Sequence, residues 1–173
     1  MNLNIFIRIC SILTVLSGLI DFAAAATAIG GLFVPIVPDL VVTSLIMINL
    51  LFVVLALIGL YSVQYPAAGA LGLAGVSIAM VAALITIFVP LYGWGLYLNG
   101  LLLFAIASAR TGLLPANAIW FWFLGAFIAV AAGILDFTLL FYLGILIAGS
   151  SRIWLGYIIW HEQTIGLSSH PAM

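Results

Sequence analysis

Six apolar runs, parted by short proline, glycine or polar breaks, take up almost the whole chain. Each is close to the roughly 20 residues that an α-helix needs to cross a bilayer. In hydrocarbon a backbone must satisfy its own N–H and C=O groups, and a helix does so within one segment. The runs predict helices near 5–30, 40–62, 66–89, 94–111, 117–135 and 138–161. The expected fold is therefore an all-α membrane protein, a six-transmembrane helical bundle. It is read as a single transmembrane domain over 1–173 with no soluble domain.

Charge agrees with this reading. Three arginines and four acidic residues are the whole charged complement of 173 residues, whereas about a quarter of a soluble domain is charged. So few charges leave no basic patch for phosphates, which excludes a nucleic-acid partner. Cys10 stands alone, so there is neither a disulfide framework nor a cysteine metal site. The first run, with "AAAA" near its end, has the look of a signal peptide, but the apolar stretch continues to Pro35. A retained first transmembrane helix is expected.

The breaks carry turn chemistry. "VPIVPD" divides the first two runs, and Pro66 suits the first turn of helix three. Arg110, Gly112 and Pro115 form a stop for helix four, and Asn117 is placed as the N-cap of helix five. An even number of spans puts both termini on one side, with Arg8, Arg110, His161 and His170. By the positive-inside rule that side is cytoplasmic. Aromatic belts are expected at the inner interface (Tyr61, Tyr65, Trp120, Trp122, Tyr157, Trp160) and at the outer one (Tyr92, Trp94, Tyr97). Small residues at four-residue steps mark faces for close helix packing: Gly125, Ala129 and Gly133, Ala24 with Ala28, and Gly144 with Ala148.

"SGLIDF" at 17–22 returns as "AGILDF" at 132–137, each with an aspartate in apolar surroundings. Asp136 falls at a break and is expected to N-cap helix six. Asp21 lies inside its run, about 12–18 Å below the outer surface at a rise of 1.5 Å per residue. Asn49 and Arg152 reach a similar depth from their own helices. A lone charge in hydrocarbon costs at least about 2.5–3.5 kcal/mol. The candidate site is thus an intramembrane polar cluster of Asp21, Asn49 and Arg152. The alternative has Arg152 reaching the inner headgroups and Asp21 uncharged.

No catalytic residue set stands out, and an enzyme is not expected. There is no HExxH, no defensible Ser/His/Asp set and no phosphate-cradling glycine loop. No metal is expected; His161, at the end of helix six, is a weak candidate ligand.

"LIGLYSVQYPAAGALGLAG" (57–75), "LLLFAIASARTGLLPANAIWFWFLGA" (101–126) and "WLGYIIW" (154–160) resemble a widespread family of small six-helix bacterial inner-membrane proteins without a characterised activity. That group shares a Gly-Leu-Tyr turn after helix two, a basic residue followed by Gly-x-Leu-Pro after helix four, and a terminal Leu-Gly-Tyr motif. The resemblance implies six helices and a multi-pass location in the bacterial inner (plasma) membrane. It implies apolar residues at the positions of Asp21 and Arg152, where this chain departs from the group.

Three roles are weighed. An accessory subunit packing against a larger membrane complex, of respiratory or photosynthetic type, comes first. A small-molecule transport module similar in size to the substrate-binding subunits of vitamin uptake systems comes second. A lipid- or quinone-binding membrane protein is third, and a bound lipid or quinone is the cofactor class left open. Membrane lipids and other membrane subunits, or a second copy of the chain, are the expected partners. A sealed aliphatic core counts against transport, and a polar cavity opening outward near Asp21 counts against a purely structural role.

Overall fold

The computed structural model describes residues 3–33, 39–65 and 67–166, and in it the chain forms six helices. They are α1 (Leu3–Phe33), α2 (Asp39–Gln64), α3 (Gly69–Phe88), α4 (Pro90–Thr111), α5 (Ala116–Ile134) and α6 (Thr138–Gly166). All six are long and apolar enough to cross a membrane. The Val34–Pro38 part of the first break, Pro66 and His170 lie outside the described residues.

Two boundaries differ from the expected ones for local reasons. Gly69 takes a positive φ of 55°, which interrupts the helical path, so α3 starts there and not at residue 66. Pro90 opens α4 four residues before the expected start, because proline at the first helical position loses no hydrogen bond. One residue, Val89, then joins α3 to α4. The expected stop of α4 is built from Gly112, whose φ of 64° ends the helix while its N–H bonds the Ser108 carbonyl.

The principal contacts run between successive helices and close with α6 on α1, a ring in chain order. The contacting pairs are antiparallel. Ser11 meets Gly156 and Gly18 meets Gly149 between α1 and α6, and Ala79 meets Gly100 and Thr86 meets Gly93 between α3 and α4. One end of the bundle, here the terminal end, holds the start of α1, the end of α6, the end of α2 and the turn at 112–115. The distal end holds the end of α1, Val89 and the turn at 135–137.

Backbones touch where glycine permits it. A Cβ on Gly125 would lie 2.7 Å from the Gly144 carbonyl, and one on Gly144 would lie 2.7 Å from the Gly125 carbonyl. Ala129 and Ala148 complete this α5–α6 seam. Gly133 lies beyond it, exposed, with the Phe141 ring as its neighbour. On α1 the close approach to α6 centres on Ser11 and Gly18, not on Ala24 and Ala28, although Ala24 is buried and Ala28 half-buried.

Polar side chains are gathered inside the bundle, among an apolar core, and the outward faces are largely apolar. Ser11, Thr14, Ser17, Asp21, Asn49, Gln64, Ser151 and Arg152 are buried, while Phe88, Leu139, Ile134 and Leu51 face outward. Hydrocarbon as solvent favours this distribution, since polar groups there must find partners within the protein. Several hydroxyls do so on their own helix: Thr14 donates to the Cys10 carbonyl and Thr86 to that of Ala82.

The seam at Gly125 and Gly144 predicts a matched pair of outcomes. Gly144→Leu lowers unfolding stability in detergent by about 1–3 kcal/mol, because backbone stands where the side chain must go. Gly133→Ala stays within about 0.5 kcal/mol. Thermal unfolding followed by tryptophan fluorescence measures both, and equal effects would refute the seam.

Candidate functional site

Asp21, Asn49 and Arg152 come from α1, α2 and α6 and meet midway through the bundle. An Asn49 Nδ2–H donates to Asp21 Oδ1, and Arg152 Nη2 pairs with Asp21 Oδ2. Arg152 Nε also donates to the Ala148 carbonyl at 3.4 Å. The guanidinium lies over the Trp122 ring, 5.5 Å from its centroid, within cation–π range. Asp21 is 7% exposed and Arg152 3%. Arg152 therefore stays inside the bundle and does not reach for headgroups. At this burial each charge depends on the other.

Local sequence explains how the pair fits. Gly149 lies one turn from Arg152 on α6, and a Cβ there would come within 2.9 Å of the Asp21 Cβ and 3.0 Å of the Gly18 carbonyl. Without those two glycines, α1 and α6 could not approach closely enough for the carboxylate to lie against the guanidinium. Their spacing was the sequence signal for this seam. Ser11 with Gly18, and Gly149 with Gly156, recur at seven residues, whereas four-residue steps drew attention to other positions.

Beside the cluster lies a cavity of about 320 Å³, a size suited to a small ligand. Asp21, Asn49 and Arg152 line it together with Trp94, Tyr97 and Trp122. Its remaining walls are apolar, from α2, α5 and α6, and it extends past Val130 and Ile145 toward Pro90, Ile134 and Phe141 at the distal end. Counting along α1, α2 and α6 puts the cluster about 15–20 Å from that end. Tyr97 and Trp122 are thus core residues, 4% and 1% exposed, and not members of interfacial belts. The guanidinium over Trp122 and the edge-on packing of Tyr97 against Trp94 go with their inward position. Tyr65, Tyr92, Trp120, Tyr157 and Trp160 are exposed.

The two expected caps are corrected. Asp136 belongs to the end of α5, with a φ of 58°, a left-handed conformation that aspartate tolerates better than most residues. The Phe137 N–H reaches back to the Ala132 carbonyl, closing a Schellman-type turn around it. Phe137, not Asp136, then directly precedes α6. Asn117 lies in the first turn of α5, whose N-cap position is Pro115, with no side-chain cap bond. Pro115 in extended conformation starts the helix early enough to carry Asn117 past the capping position.

Among the described residues no three His, Cys, Asp or Glu side chains come together to hold a metal. His161 is exposed near the terminal end with its ring against Tyr157, centroids 5.9 Å apart. Compared with protein-family models, curated proteins and solved structures, the chain finds no match.

Removing either charge strands the other. Asp21→Asn and Arg152→Leu are each expected to cost about 3–5 kcal/mol. The double change Asp21→Leu with Arg152→Met costs less than either single change, because no unpaired charge remains. Thermal unfolding in mild detergent tests this, and two single variants as stable as the parent would dismiss the pair.

Proposed function

We propose that this protein is an integral membrane binding protein for a small, largely apolar molecule. The observation that carries this reading is the cavity beside Asp21, Asn49 and Arg152, walled by apolar side chains and leading to the distal end. A subunit that served only as packing material would gain from filling such a space, since voids forfeit dispersion contacts. The accessory-subunit role therefore yields to ligand binding. The apolar walls select a molecule that already prefers the bilayer, and the polar floor orients it. Binding, not chemical conversion, is the role: the charged groups of the floor are spent on each other.

The location read here is the bacterial inner membrane, in keeping with the family that the turn motifs resemble. Arg8 and Arg110 support cytoplasmic placement of the terminal end, so the cavity faces outward. A fluorescent protein fused at the C-terminus is then bright and a periplasmic phosphatase fused there inactive. The reverse pattern would invert the orientation.

Co-purification tests the function itself. Wild-type protein extracted gently from native membranes carries a small molecule at near one-to-one ratio in native mass spectrometry. Val130→Trp, which fills the cavity from its wall, loses it. Protein that carries no such molecule and instead co-migrates with a stoichiometric protein subunit would restore the accessory role.

A further inference from the structure

The polar atoms at the cavity floor are unevenly supplied. Both Asp21 oxygens are occupied, one by Asn49 and one by Arg152, so the carboxylate is already engaged. Asn49 Oδ1 is buried with no hydrogen-bond partner, so one acceptor of the floor is left over. Donors are left over in greater number. A guanidinium carries five N–H groups, and Asp21 and the Ala148 carbonyl leave some of them over. Tyr97 lines the same cavity and brings a phenolic O–H, a further donor. The floor is also neutral as a whole, because one carboxylate faces one guanidinium. A ligand bringing a charge of either sign into this apolar space would have no counter-ion. Trp94, Tyr97 and Trp122 add ring surfaces along the same wall.

We infer that the cavity takes an uncharged, flat, ring-bearing molecule that presents a carbonyl-type acceptor oxygen to Arg152 and Tyr97. This rests on the binding role proposed above and specifies the chemistry of its ligand. The ring lies among the aromatic side chains, and the oxygen accepts the spare N–H and O–H groups. Quinones and aromatic ketones belong to this class; fatty acids and organic amines do not.

Four naphthalenes that differ in one substituent test it: 2-acetylnaphthalene, 2-ethylnaphthalene, 2-naphthoate and 2-naphthylmethylammonium. Each is equilibrated with the full chain in nanodiscs, and the amount retained above empty nanodiscs is measured. The ketone is expected to bind about tenfold or more tighter than the ethyl compound, which lacks the acceptor. Both ions bind more weakly than the ketone. Tyr97→Phe narrows the preference for ketone over ethyl compound. Equal retention of ketone and ethyl compound, or tightest binding by either ion, overturns this inference while leaving a binding cavity in place. Retention of none of the four overturns this inference, and if native protein also carries no small molecule the binding role falls with it.

Discussion

A carboxylate and a guanidinium in a low-dielectric interior hold together only if they are brought into direct contact, and that contact sets conditions on everything around it. Asp21 and Arg152 belong to the first and last helices, so their meeting requires the ring of helices to close. Closure in turn requires α1 and α6 to touch at backbone distance, which Gly18 and Gly149 permit. A side chain at either glycine would part the helices and leave two uncompensated charges in hydrocarbon. The ion pair thus makes the chain's two ends interdependent, although nothing in the order of the sequence links them.

The same contact shapes the cavity. Arg152 leans over Trp122, and both share the cavity lining with the buried Tyr97, so charge, ring and hydroxyl lie on one floor. Apolar side chains of α2, α5 and α6 rise from it toward the distal end. The electrostatics stay local: the two buried charges answer each other within the bundle, and much of the outward surface is leucine, isoleucine and phenylalanine. Polar groups gathered at a neutral floor beneath apolar walls suit a guest that is itself mostly apolar.

Much of this geometry is legible along the chain because depth in a bilayer follows from counting residues. Asp21, Asn49 and Arg152 sit at matching heights on helices whose limits are evident from composition, and they meet. Azimuth is harder to read. Trp122 stands near the start of an apolar run, where an interfacial ring is the ordinary outcome, whereas it lies in the core beneath Arg152 of another helix. Asp136 lies at a break, as its place in the sequence implies, but the break has two helix ends to serve. The left-handed conformation that joins aspartate to the end of α5 leaves no periodic trace. The α1–α6 seam was hidden for a related reason: its small residues recur every seven positions, a weaker pattern than the four-residue steps on α5.

The single residue between α3 and α4 gives this pair a mechanical character of its own. Val89 leaves almost no slack, and Gly93 against Thr86, then Gly100 against Ala79, hold the two backbones together along their length. The pair touches α2 and α5 much more sparingly than its two members touch each other. It is a stiff hairpin set into a compliant frame, and it contributes Pro90, Trp94 and Tyr97 to the cavity wall. The sparsely packed seams with α2 and α5, and not the hairpin itself, are then the places where this side of the ring resists distortion least.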